Sequence, residues 1–160
     1  MKALDDVDKV ILVLPFLGFL DILSTLYVQA LGYPLLLYEF GFFASFFVSV
    51  GLTYFYAVVY LLIFGAFVYF LWFTKNKELS PSHFFDKIIF LFIVTIVCFI
   101  CLRLTAVSVG NFLLPYFVAG KVSREIVIIL TYLSTAFALI FYLRRDVFKW
   151  VKSDDTAKEQ

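Results

Sequence analysis

Four long runs of apolar residues leave this chain few ways to fold. They cover residues 10–31, 53–73, 88–114 and 126–143. A helix rises about 1.5 Å per residue and the bilayer's hydrocarbon core is about 30 Å thick, so about 20 apolar residues cross it. The runs match that need, and the third is long enough to cross at a tilt. Unbroken apolarity marks helices; barrel strands would alternate polar and apolar side chains. Composition agrees. The chain is 64% hydrophobic and 16% charged, against about 45–50% and about 25% for a soluble domain. Too few charges remain to coat a soluble surface, and a disordered chain would be polar. A net charge of +1 offers nucleic acid no basic field. The expectation is an all-α polytopic bundle of four transmembrane helices, one domain over residues 1–150, with the lipid bilayer as its surroundings.

Residues 35–50 pose the one topological choice. The stretch is apolar but only about 24 Å long as a helix. Gly32, Tyr33 and Pro34 break the chain before it and Gly51 follows it. Lys and Arg accumulate on the cytoplasmic side of a membrane, and this bias decides. With four spans, Lys2, Lys9, Lys75, Lys77, Lys87, Arg144, Arg145, Lys149, Lys152 and Lys158 share one side, leaving Lys121 and Arg124 on the other. A fifth span makes the division more even. The stretch 35–50 is therefore expected as a short outer-side helix between the first and second spans, with both termini cytoplasmic. Tyr27, Tyr33, Tyr38, Tyr54, Tyr56 and Tyr116 then fall near the outer interface, and Tyr69, Trp72, Tyr142 and Trp150 near the inner one, as amphipathic rings prefer. Tyr60 and Tyr132 lie deeper. Asp5, Asp6 and Asp8, with no small-residue cleavage site after the first run, argue against a signal peptide. Ser80 and Pro81 read as the start of the third helix, and Ser123 as the cap of the fourth. The polar tail 151–160 is expected to be disordered and cytoplasmic. No internal repeat marks an inverted-repeat transporter within one chain, although two copies could pair.

Polar residues inside the runs carry the functional signal. An ionisable side chain in hydrocarbon costs about 2.5–3.5 kcal/mol on insertion scales, so it is by default a functional hypothesis. Asp21, Arg103 and Glu39 are such residues. Asp21 lies about 16 Å past the start of the first run. Gly18, Thr25 and Gln29 stand at helical spacings from it and suggest one polar stripe. Pro15 stands earlier and could bend the helix. Arg103 lies about 22 Å into the third run, and its long side chain can cover the difference in depth. Asn111 stands two turns beyond it. Glu39 falls in the short helix, whose other face carries Gly41, Ser45 and Ser49, small residues that let helices approach closely. Two readings stay open for the charges: an Asp–Arg or Glu–Arg pair that holds helices together, or a site coupled to a proton or ion.

Cys98 and Cys101 form a C-x-x-C inside the third run. The arrangement resembles the membrane quinone–thiol reductases of the vitamin K epoxide reductase type, which have about four helices and a C-x-x-C in a span. Those enzymes use a second cysteine pair, and this chain has two Cys in all. Their motif also lies on the last helix of the bundle, whereas a full span follows it here. The alternative is two small apolar residues on one helix face, with thiols kept inert by burial. His83 is the single histidine; zinc wants three or four ligands, so it reads as a loop or cap residue. No hydrolase, zincin, P-loop or dinucleotide motif occurs, and no metal or other cofactor is implied.

Asp21 and Thr25, followed by Gly32 and Glu39, resemble a family of small prokaryotic membrane proteins of no established activity. That family has a first-span D-x-x-x-T pattern, then a Gly and an E-x-N-P. Here Glu39 is followed by Phe40-Gly41-Phe42, so the Asn and Pro are missing. The likeness covers the first half of the chain. It implies that Asp21 and Glu39 belong to one site, and that the host is a prokaryotic plasma membrane. Three functions remain open. The leading one is a non-enzymatic transporter or channel-like unit for a proton, ion or small solute. Asp21, Glu39 and Arg103 would line it, Thr25, Gln29 and Asn111 would supply hydrogen bonds, and oligomerisation would enclose the path. The second is an accessory or scaffold subunit of a membrane complex. The third is a thiol redox enzyme on Cys98 and Cys101.

Overall fold

The computed structural model describes residues 5–33, 46–47, 49–80 and 83–152. Among them the chain is all-helical. Helix α1 is Asp6–Ala30 and α2 is Thr53–Phe73, continued by a π-helical turn, Thr74–Glu78. Helix α3 is Phe84–Phe112, a short α4 is Leu114–Val118, and α5 is Arg124–Lys152. Helices α1, α2 (with the first residues of the π turn), α3 and α5 are each long and apolar enough to cross a membrane. The second span lies where the sequence places it. Helices α1 and α3 begin four residues before the apolar runs that start at 10 and 88, although α3 starts later than the entry expected for it at Ser80 and Pro81, and the last span runs nine residues past Leu143. Residues 151 and 152 are helical. Most of the stretch 35–50, with Glu39, Gly41 and Ser45, lies outside the described residues, as does 153–160.

Local chemistry sets the helix ends. Asp5 caps α1 by accepting the Asp8 N–H at 2.8 Å, with Asp6 and Asp8 in the first turn, where the helix dipole favours negative charge. The helix runs through Pro15 and stops at Gly32, whose φ of +78° suits a residue without a Cβ. Ser123 caps α5, accepting the Ile126 N–H at 3.5 Å and donating to Glu125 at 2.9 Å. Helix α3 departs from expectation. Its cap position is His83, without a side-chain cap bond. Ser80 instead donates its N–H to the Asp86 carboxylate at 2.9 Å, and Pro81 lies outside the described residues.

Helices α1 and α3 pack along one another and form the middle of the bundle. Helix α2 lies against α1, and α5 lies against α3 with a lighter touch on α1. No substantial packing joins α2 to α5 among the described residues. The dry core fills one half of the bundle. It contains Val7, Ile11, Leu14, Val68, Leu71, Phe90, Ile93, Val97, Cys101 and Leu143, with Trp150 stacked on Phe90 at 4.1 Å. Outward-facing side chains such as Leu62, Phe92, Phe137 and Ile140 are large, apolar and exposed, which suits hydrocarbon surroundings.

At the end of the bundle nearest this core, charged residues clasp three helices together. Lys75, on the π turn, is 3% exposed and lies 2.6 Å from the Asp5 carboxylate and 2.9 Å from that of Asp8. Asn76 donates to Asp8 at 2.7 Å. Asp6 is held by Lys9 at 2.7 Å and Arg145 at 3.0 Å. Its N–H, which has no partner within the helix, donates to Asp146 at 2.6 Å. Sequence reasoning used the three N-terminal aspartates only against a signal peptide. A count of apolar residues carries no sign of this clasp, because its partners are about 70 and 140 positions apart in the chain and meet only once helices pair.

Gly18 on α1 packs against Phe64 of α2. A Cβ there would stand 2.7 Å from the Phe64 ring. Phe64 stacks on Tyr60 with centroids 5.7 Å apart, so a shift of the ring would disturb that contact. Gly18→Ala is expected to lower stability by about 1–3 kcal/mol through overpacking, and Phe64→Leu in the same chain to restore most of the loss. Thermal unfolding in detergent checks both.

Candidate functional site

The half of the bundle away from the clasp holds a cavity of about 570 Å³, within the usual range of small-molecule sites, about 300–1,000 Å³. All four long helices line it. Helix α1 contributes Asp21, Ile22, Thr25 and Val28, α2 contributes Tyr56 and Tyr60, and α5 contributes Arg124, Ile128 and Tyr132. The wall from α3 includes Phe99, Arg103, Val107, Gly110 and Asn111. The site exists because the packing changes along the bundle. Near the clasp, Leu14, Phe90 and Val97 are buried and fill the space between helices. About two turns further on, Asp21 and Arg103 take their places, and Gly110 lines the cavity beyond them.

Hydrogen bonds fix one wall. The Asn111 amide donates to Ser24 Oγ at 3.0 Å and to Thr25 Oγ1 at 3.5 Å. The Ser24 hydroxyl, fully buried, donates to the Asp21 carbonyl at 2.8 Å. These bonds tie α3 to α1. Across the cavity, the Tyr60 hydroxyl donates to the Asp21 carboxylate at 3.5 Å, and Tyr60 continues an aromatic row with Tyr56 and Phe64. Asp21 thus has a hydrogen-bonding neighbour on a second helix. Arg103 is exposed on α3 in line with Phe99 and Val107, which are exposed as well. Among the described residues it forms no ion pair.

Four of the six polar residues expected to form a centre are brought together here: Asp21, Thr25, Arg103 and Asn111. Glu39 lies outside the described residues. Gln29 does not line the cavity and is exposed. Eight residues turn a helix through about 80° beyond two full turns, so Gln29 leaves the face that Asp21 starts, whereas seven leave it about 20° short. Val28 accordingly takes the place expected of Gln29. Sequence reasoning missed Tyr56, Tyr60, Arg124 and Tyr132 as site residues. Tyr60 and Tyr132 had a signal in their depth, while Arg124 was counted only as a loop charge.

The cysteines belong elsewhere. Both are free; Cys101 is 3% exposed within the dry core, and Cys98 packs against the same core. Among the described residues no three His, Cys, Asp or Glu side chains are grouped as a metal site. The arrangement can hold a polar or charged solute by hydrogen bonds and a guanidinium, in surroundings where a low dielectric strengthens both. No family model matches the chain, and neither a curated protein nor a solved structure is similar to it.

Proposed function

We propose that this chain is a small non-enzymatic membrane protein that admits a polar solute or ion into the half of the bundle beyond the clasp, and acts as a transporter or channel-like unit. The clasp and both termini face the cytoplasm in this reading, because the lysines and arginines gather at that end, and the cavity faces the outer leaflet. One observation carries the proposal: a cavity lined by Asp21, Arg103 and Asn111 sits directly on a dry core. A polar chamber inside hydrocarbon is costly unless something polar fills it. The dry core seals the cytoplasmic side, so the described arrangement is one of outward access. Passage to the other side would require the clasp to part.

Cysteine accessibility tests this. Thr25→Cys, in the full chain in vesicles, should react with a membrane-impermeant thiol reagent added outside. Leu14→Cys, at a fully buried core position, should not. The unsubstituted chain is the blank for Cys98 and Cys101. No reaction at Thr25→Cys from either side would sink the proposal, and reaction only from the inside would reverse its orientation.

A further inference from the structure

We infer that the cavity is built for a phosphate-type oxyanion, carried on a lipid or free in water, bracketed by Arg103 and Arg124. The inference rests on the reading above and adds the chemistry of the solute.

Charge is the first argument. The lining holds two guanidiniums, Arg103 and Arg124, and one carboxylate, Asp21. The described cavity therefore has a positive surplus. Arg103 stands nine residues before the end of α3, about 14 Å along the helix, so it is well inside the span. Its guanidinium stays charged in any environment a protein offers, and among the described residues no carboxylate pairs with it. A charge at that depth is tolerated when an opposite charge meets it. The planar fork of donors matches two oxygens of a phosphate at once, which a compact halide cannot exploit.

Shape is the second argument. Arg124 is the first residue of α5 and marks the rim, while Arg103 lies deeper. Both line the same cavity, and long basic side chains can extend along apolar surface toward an anion held there. The Tyr132 hydroxyl adds a donor to the same space, while the Asn111 amide and the Tyr60 hydroxyl are held by Ser24, Thr25 and Asp21. The rest of the lining is apolar: Ile22, Phe99, Leu102, Val107 and Ile128. Phe99 and Val107 are exposed on either side of Arg103 along α3, on a surface not covered by packing between α2 and α5. A headgroup at Arg103 could therefore keep its acyl chain on Phe99 and Val107 without breaking a helix contact.

Binding to the purified full chain in a non-ionic maltoside detergent tests the inference. The probes are dioctanoyl phosphatidic acid, inorganic phosphate, and dioctanoylglycerol, which has the same chains without the phosphate. Phosphatidic acid should bind and raise the Tm, and dioctanoylglycerol should do neither. Arg103→Gln should weaken binding about tenfold or more, as loss of a charge-assisted bond does, and Arg103→Lys should recover part of it. Arg124→Gln, at an exposed helix start, gives the same reading should Arg103→Gln fail to fold. Binding of phosphatidic acid alone identifies a lipid as the source of the anion; binding of inorganic phosphate as well shows that the free ion suffices. Equal binding of dioctanoylglycerol, no binding of either phosphate probe, or wild-type affinity in both arginine variants would overturn the inference. Thiol labelling of Thr25→Cys would still report whether the cavity admits solute of another kind, so the two failures are told apart.

Discussion

Lys75→Ala is expected to cost about 3 kcal/mol or more and to lower the Tm on the order of 10 °C. The lysine is 3% exposed and Asp8 is 4% exposed, with 2.9 Å between their charged atoms. Removing the cation leaves the Asp8 carboxylate buried against Asn76 alone, and a buried charge without its counter-charge is what makes such a deletion costly. Asp5 contributes less, since its side chain is about a third exposed and its capping bond to the Asp8 N–H survives. The pair need not stabilise the fold relative to apolar residues of the same size. The double variant Lys75→Met with Asp8→Leu should therefore regain most of the lost Tm, which separates charge burial from lost packing. An unchanged Tm in Lys75→Ala would show that the clasp is not closed in solution.

The clasp bears on function as well as stability. It joins the start of α1 to the end of α2 through Lys75 and to the end of α5 through Arg145 and Asp146. The same three helices also line the cavity. In the proposed orientation, a solute leaving the cavity through the clasp end would have to part the apolar core between Leu14 and Phe90, and the ionic links beneath it. Those links are discrete contacts that form or break, the kind of bistable interface through which bundles rock. A bundle closed at one end by ions and core packing, with a polar-lined cavity at the other, has the asymmetry on which the proposed outward access rests.

Sequence alone gives the helices because the bilayer imposes one dominant requirement, an apolar run of sufficient length. That requirement says little about where a helix stops once it leaves hydrocarbon. Asp6, Asp8 and Lys9 look like loop residues by charge, yet they form the first turns of α1 because Asp5 caps it and Lys75 neutralises it. Arg144, Asp146 and Lys149 extend α5 for a similar reason: Asp146 is buried against α1, and exposed basic residues suit the helix end. For the site, spacing within one helix places Asp21 and Thr25 on a common face. It fails at Gln29, because the angular error grows with each turn. Contributions from other helices, such as Tyr60 reaching Asp21 or Arg124 at the rim, depend on packing that no periodicity encodes.

Gly110→Phe should abolish solute access and phosphate binding while leaving the fold at least as stable, and this separation makes it the most incisive test of the cavity. Gly110 lines the cavity on α3, and a Cβ added there meets nothing within 4 Å. Its backbone is helical, so a side chain introduces no conformational strain. Glycine inside a helix is less favourable than alanine by about 0.8–1.0 kcal/mol, so Gly110→Ala should hold or raise the Tm and leave binding nearly intact. A phenyl ring at the same position would project into space beside Asn111 and exclude what the arginines would otherwise hold. Gly65 supplies the control. It too has open space around an added Cβ, but it lies outside the cavity lining. Gly65→Phe should therefore change neither Thr25→Cys labelling nor the affinity for phosphatidic acid. Wild-type labelling and binding in Gly110→Phe, with a preserved Tm, would mean that the chamber between the four helices is not where this protein meets its solute.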